Sequence, residues 1–127
     1  MSGFLILIVE DEIDIRNLMA LALQFNGYQV VEAANGEEAV RIATELVPDL
    51  IVMDVRMPKM NGYEACQILK QQDSTRDIPI VFLSAKGQDT DQKAGLALGA
   101  EAYWLKPFDP TDMPQRIGEI LKKYSQP

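Results

Sequence analysis

Pro48-Asp49-Leu50-Ile51-Val52-Met53-Asp54-Val55-Arg56-Met57-Pro58-Lys59-Met60-Asn61-Gly62 is the stretch whose reading decides the fold. Leu50 to Met53, with Val55 beyond, form an apolar run that reads as a strand buried on both faces, where charged residues are rare unless paired. Asp54 nevertheless stands at its end, and loop chemistry follows at once in Pro58 and the turn pair Asn61-Gly62. An acid at the carboxyl end of a buried parallel strand lies where open α/β sheets place their ligands. Taken alone, Asp54 reads as well as a solvated acid that starts a loop. The segments around it weigh against that reading.

Working outward, four more segments read as strands. Phe4 to Val9 is unbroken apolar sequence, and Tyr28 to Ala33 is rich in β-branched residues. Ile78 to Leu83 carries Pro79 near its start, where proline is tolerated, and Ala102 to Leu105 is short. Helical patterns separate them. Ile15, Leu18, Met19, Ala22 and Phe25 recur at helical spacing after Asp11, an N-cap candidate, and Asn26-Gly27 closes that helix. Gly36 to Val47 sets Val40, Ala43 and Val47 on one face, and Tyr63 to Gln72 turns Cys66 and Leu69 inward. A fourth helix, Asp89 to Leu98 with Gly99 as its C′ residue, follows the polar stretch Ala85 to Asp91 and should be the least firmly held. Met113, Ile117, Ile120, Leu121 and Tyr124 trace the last one.

Five strands alternating with five helices imply parallel pairing through right-handed crossovers. The expected architecture is α/β: a flavodoxin-like, three-layer, doubly wound (βα)5 fold. Its five-stranded parallel sheet would have the order 2-1-3-4-5, with a crevice between the first and third strands. A single domain over residues 1–127 fits the length.

The composition excludes several function classes. A net charge of −7 argues against a direct nucleic-acid surface, and equally against binding an acidic membrane. Cys66, the one cysteine, cannot form an internal disulfide and reads as a small apolar core residue. With no histidine in the chain, histidine catalysis and most zinc sites are excluded. The amino terminus lacks a basic region and its apolar run is too short to span a bilayer, so a cytoplasmic setting is the expectation.

The strand ends carry the chemistry. Strand one ends in Glu10 and Asp11, strand three in Asp54, strand four in Ser84 and strand five in Lys106. Parallel strands bring all of them to one edge of the sheet, whereas strand two ends in Ala33-Ala34-Asn35 and contributes nothing charged. Three carboxylates in one pocket repel unless cations balance them. Mg²⁺ together with Lys106 would neutralise them, and oxygen ligands without His or Cys favour Mg²⁺ over zinc. Such a site suits a phosphoryl group received on a carboxylate, with Asp54 as nucleophile and Lys106 and the Ser84 hydroxyl as donors to the phosphoryl oxygens. Ser84 by itself also reads as an ordinary strand-end serine.

Glu10-Asp11 after strand one, Asp54 followed by Met57-Pro58 and Gly62, Ser84-Ala85, and Lys106-Pro107-Phe108 together resemble the receiver domain of bacterial two-component response regulators, over essentially the whole chain. The resemblance implies that Asp54 accepts a phosphoryl group from a phosphohistidine on a sensor histidine kinase or a histidine phosphotransfer protein. It implies Mg²⁺ bound by Asp11, Asp54 and the Arg56 backbone carbonyl, with Glu10 helping through water. Lys106 would salt-bridge the phosphoryl group, usually before a cis proline. A switch is implied as well: Ser84 moves toward the phosphoryl oxygen and Tyr103 swings inward. The face made by the fourth helix, fifth strand and fifth helix then selects a downstream protein partner. Tyr103 alone reads as a half-buried strand aromatic. A monomer or a weak phosphorylation-dependent dimer is expected, acting as a signalling phosphoacceptor rather than an enzyme.

Departures from the common pattern bear on tuning. Glu10 replaces the more frequent aspartate, a change that should keep metal binding. Arg56 and Lys86 lie where the family adjusts the lifetime of its phosphoryl group, and either could crowd or orient attacking water. The plain alternative is two solvated charges or an Arg56–Glu10 ion pair. Trp104 is expected in the core, where an aliphatic residue is usual. An aspartyl-phosphate hydrolase of the haloacid dehalogenase type would need an acid at Arg56. A flavodoxin would want hydroxyls rather than Glu10-Asp11-Glu12, which would repel a flavin phosphate. A degenerate, phosphorylation-independent module is disfavoured by the complete set of groups. The start at Met1 and the polar ending Ser125-Gln126-Pro127 suggest a stand-alone, chemotaxis-regulator-like form.

Overall fold

Strand β1 (Leu5–Val9) leads through helix α1 (Ile13–Phe25) to β2 (Gln29–Ala33) and α2 (Gly36–Leu46) in the computed structural model, which describes residues 3–84, 89–106 and 109–125. The chain continues through β3 (Leu50–Asp54), α3 (Gly62–Gln71), β4 (Ile80–Ser84), α4 (Asp89–Ala97), β5 (Ala102–Leu105) and α5 (Met113–Ser125). All five strands are parallel and the sheet order is β2-β1-β3-β4-β5, as the alternation of elements requires.

Side chains alternate across a strand, so each apolar strand feeds two cores. Leu7, Val9, Ile51, Met53, Ile80 and Phe82 face one way, onto Ala39 and Ala43 of α2 and Ala65, Cys66 and Leu69 of α3. Ile6, Ile8, Leu50, Val52, Val81 and Leu83 face the other way, onto Met19 and Leu23 of α1 and Met113, Ile117 and Leu121 of α5. Every residue of β3 is buried, as its unbroken apolar run implies. Cys66 sits in the first core, where burial pushes its thiol pKa up.

Several local expectations are corrected. Glu12, not Asp11, occupies the N-cap of α1, without a side-chain hydrogen bond. The inward face of α1 is Ile15, Met19 and Leu23, leaving Leu18 exposed and Phe25 93% exposed. Both patterns have helical spacing, and periodicity alone does not say which one meets the sheet. Val47 is the exposed, left-handed C-cap of α2 rather than part of its buried face. Asn61-Gly62 opens α3 instead of making a free turn: Asn61 accepts from the Glu64 amide at 2.8 Å while Glu64 accepts from the Asn61 amide at 3.0 Å. Pro79 falls just before β4, and its carbonyl accepts from Ile51.

The loop after β3 is pinned at two glycines. Gly62 donates to the Val55 carbonyl at 2.9 Å, and a Cβ on it would lie 2.4 Å from the Asp54 carbonyl oxygen. Gly36 donates to the Met60 carbonyl at 3.0 Å, and a Cβ there would lie 2.4 Å from that oxygen. Backbone atoms held by a strand end and a capped helix have little freedom to yield. Gly36→Ala should therefore destabilise the protein by about 1–3 kcal/mol, the usual cost of overpacking, despite alanine's better helix propensity. Urea unfolding measures this; an unchanged or raised midpoint would show that the loop yields freely.

Candidate functional site

The carboxyl ends of β1, β3, β4 and β5 converge on one edge of the sheet. Glu10 extends the β1 ladder by one bond, donating to the Ala33 carbonyl at 3.1 Å. Asp54 is the last residue of β3 and pairs in register with Leu83. Ser84 ends β4 opposite Leu105, and its carbonyl accepts from the Lys106 amide at 2.6 Å. These backbone pairings, rather than any loop, set the positions of Glu10, Asp54, Ser84 and Lys106.

Glu10 is 1% exposed and Asp54 6%, while Asp11 is exposed at the rim. Carboxylate oxygens of all three lie within 4.8 Å of one another. Lys106 Nζ stands between the two buried acids, 3.2 Å from Asp54 Oδ2 and 3.0 Å from Glu10 Oε1. The alternative Arg56–Glu10 pair is not formed among the described residues; Lys106 takes that place and Arg56 is exposed.

Burial, then the charge of Asp54, push the Glu10 pKa up to about 6, against the pull of Lys106 and the Glu12 amide. Burial raises Asp54 too; Lys106 opposes this and Asp11 adds to it. For Lys106, burial alone would lower the pKa, but Glu10 and Asp54 outweigh it and the net shift is upward. One ammonium does not balance three carboxylates. Among the described residues Glu10 Oε1 is moreover a buried oxygen with no hydrogen bond of good geometry, despite the ammonium beside it. Hard oxygen donors, excess negative charge and an under-satisfied buried oxygen fit a divalent cation such as Mg²⁺.

The remaining expected residues fall as follows. Tyr103 is half-buried on β5, its ring 6.2 Å from that of Phe82 and its Oη 3.4 Å from Tyr63 Oη. Trp104 is only half-buried, with Arg116 5.3 Å over its ring, so the core placement expected for it is corrected. On a short edge strand one flank of the indole stays open. Lys86, Ala85 and the Pro107-Phe108 pair lie outside the described residues. The end of strand β2 brings no charge to the site, but Glu32 inside it pairs with Arg16 at 3.0 Å, and Arg16 reaches on to the Glu10 carbonyl. Neither Arg16 nor Glu32 stands at a strand end, so the strand-end pattern could not mark them. Gly62 is legible as a turn residue and as part of the receiver-like motif, but the reason for it is not: its lack of a Cβ is what admits the Asp54 carbonyl.

The chain belongs to the response regulator receiver domain family, whose model matches residues 6–118. Receiver domains are the phosphoacceptor modules of two-component signalling; histidine kinases phosphorylate them, and they bind Mg²⁺ at an acidic pocket. The chain is 45% identical over 122 residues to a probable transcriptional regulator, ycf27, of Cyanophora paradoxa, covering 96% of this chain and 50% of that protein. It spans about half the length of the curated relatives it matches first. A crystal structure of a putative response regulator from Chloroflexus aurantiacus superposes with a TM-score of 0.89 at 35% identity, covering 95% of this chain and 99% of that one. The receiver domain of the sensor histidine kinase PA1611 from Pseudomonas aeruginosa PAO1, with a magnesium ion coordinated in its active-site cleft, gives 0.83 at 32% identity and coverages of 97% and 98%. Among the described residues no helix is long and apolar enough to cross a membrane.

A raised carboxylate pKa has a consequence for stability. Glu10 goes from 4.5 to about 6 on folding, so without a divalent cation its contribution is fully present below about pH 4.5 and is lost as pH rises through about 6. Glu10→Gln should then stabilise the cation-free protein near neutral pH, by about 2 kcal/mol, and Asp54→Asn should act in the same direction. Urea unfolding in a chelator, run at acidic and neutral pH, checks both; loss of stability in both variants would show that Lys106 already compensates the acids.

Proposed function

We propose that Asp54 is the residue that accepts the phosphoryl group, and that the 127 residues act as one receiver unit. The observation that carries this is the contact of Asp54 Oδ2 with Lys106 Nζ at 3.2 Å, at the centre of the acidic edge. Asp54 is the acid flanked on both sides: Glu10 and Asp11 stand on the neighbouring strand end, and Ser84 on the other. A carboxylate oxygen of Asp54 attacks phosphorus in line with the donor. The P–N bond of the donor phosphohistidine breaks and its electron pair returns to the imidazole nitrogen, leaving an acyl phosphate on Asp54. Lys106 and the Ser84 hydroxyl serve the phosphoryl oxygens.

Asp11, Asp54 and the Arg56 carbonyl would hold Mg²⁺, with Glu10 acting through water. When bound, the ion neutralises the acids and the incoming phosphoryl oxygens. The orphaned Glu10 Oε1 and the magnesium held by the similar Pseudomonas receiver support this reading. The donor is a sensor histidine kinase or a histidine phosphotransfer protein. The output is a protein contact on the face of α4, β5 and α5, with Ser84 and Tyr103 relaying the change. Arg56 and Lys86 tune the lifetime of the acyl phosphate. A direct nucleic-acid or membrane role is not part of this reading, since the net charge is −7.

Incubation with acetyl phosphate and Mg²⁺ should give a single phosphoryl adduct by intact mass. The adduct should be absent with chelator and absent in Asp54→Asn. Lys106→Ala should slow its formation by about a hundred-fold or more, as loss of a preorganised charge at the reacting oxygens does. An adduct that persists in Asp54→Asn would move the acceptor elsewhere. Replacing Arg56 and Lys86 together with alanine should change the decay rate of the adduct; an unchanged rate would return both to the status of solvated charges.

A further inference from the structure

Arg16 lies on α1 with its side chain 16% exposed, and its guanidinium is divided between two acceptors. Nε donates to Glu32 Oε1 on β2 at 3.0 Å, and Nη1 donates to the backbone carbonyl of Glu10 at 2.8 Å. Glu10 is thereby gripped at several points. Its amide donates to Ala33 at 3.1 Å, its Oε2 accepts from the Glu12 amide at 3.2 Å, and Lys106 stands beside its Oε1. The carbonyl is the group just past the end of the β1 ladder, where no strand partner follows it. That carbonyl also defines the plane of the peptide leading into Asp11, so a rotation there would swing Asp11 relative to Asp54.

An ion pair at a protein surface is ordinarily worth little. Arg16 differs because one planar fork joins a carboxylate on β2 to a main-chain oxygen of the acidic pair. A lysine ammonium is a point charge on a flexible stem and cannot hold both acceptors in that geometry. We propose that Arg16, anchored by Glu32, is a positioning residue for the divalent-cation site: it orients the Glu10–Asp11 peptide so that the acids meet the ion with little rearrangement. The inference rests on the reading of Glu10, Asp11 and Asp54 as that site.

Positioning and simple charge make opposite forecasts. Arg16 is a cation beside a cation site, so by Coulomb's law its removal should tighten Mg²⁺ binding. Positioning demands that removal weaken it. Calorimetric titration of the full chain with MgCl₂ separates the two. Arg16→Gln should lose about ten-fold in Mg²⁺ affinity, the lower end of what loss of an outer-shell partner costs. Arg16→Lys, which keeps the charge and loses the fork, should also bind more weakly than wild type. Without the ion, amide exchange at Glu12 should be faster in both variants, because its acceptor on Glu10 is no longer held. Unchanged or tighter binding in either variant, with the fold intact by circular dichroism, overturns the proposal. Should Arg16→Gln fail to fold, Arg16→Lys decides alone. A wild-type chain that binds no Mg²⁺ would instead remove the cation-site reading beneath it.

Discussion

Among the described residues a single ammonium, Lys106 Nζ, faces two buried carboxylates at 3.0 and 3.2 Å with a third at the rim, and the site depends on that imbalance. If the charges cancelled, the edge would be an ordinary buried ion-pair network, valuable only for specificity. Because they do not among the described residues, the site carries an electrostatic cost that a bound divalent cation would relieve. Burial, which heads the causes of the upward shifts of both Glu10 and Asp54, makes that cost larger than exposed acids would carry. The same burial strengthens each charge–charge contact once the site is filled. Cation affinity and a loss of stability without the cation would be two expressions of one arrangement.

The sheet makes the arrangement possible. Acids are placed at the exits of strands whose interiors are wholly apolar, so the two cores can form without accommodating a charge. Glu10 is buried by being one residue past β1, still bonded to Ala33, and Lys106 is aimed by its amide bond to Ser84. The β3–α3 loop is tied at both ends, since Gly62 donates to the Val55 carbonyl and Gly36, at the start of α2, to the Met60 carbonyl. Loops usually bring mobility to a site. Here the main-chain bonds that limit it come from a strand end, a capped helix and two residues without side chains.

The sequence exposes what repeats along the chain and hides what is specific to one contact. Five apolar strands, their order and the acids at their exits were legible, because strand burial and parallel alternation leave few topologies open. The convergence of Glu10, Asp11, Asp54, Ser84 and Lys106 on one edge followed from that topology alone. Spacing alone does not choose the inward face of α1, because Leu18 and Phe25 fit a helical period as well as Met19 and Leu23 do, and only the position of the sheet decides between them. Hydrophobicity alone sets Trp104 deeper than it lies, because it does not reveal that β5 is an edge strand with one open flank. Arg16 and Glu32 are hidden for a different reason: they stand 16 residues apart, and their link to the site runs through the Glu10 backbone oxygen, which no residue type announces.

If Asp54 takes the phosphoryl group as proposed, strand β5 is the route by which the change would travel outward. It has four residues and pairs only with β4, so it is the strand with the fewest bonds to break or shift. Lys106 follows it directly. Back along the strand, Leu105 is exposed, Trp104 lies toward the α1–α5 core under Arg116, and Tyr103 lies toward the opposite core against Phe82 and Tyr63. On a pleated strand alternate residues face opposite sides, so one displacement of the backbone is felt on both faces of the sheet at once. A pull on Lys106 by a phosphorylated Asp54 would therefore move the Tyr103 ring beside α4 and the Trp104 ring beside α5 together. Gly95 of α4 is where a side chain would obstruct such a motion, since a Cβ there would lie 3.0 Å from the Phe82 ring and 3.1 Å from that of Tyr103. The absence of a side chain at that point leaves the aromatic pair room to change its packing without pushing the helix away.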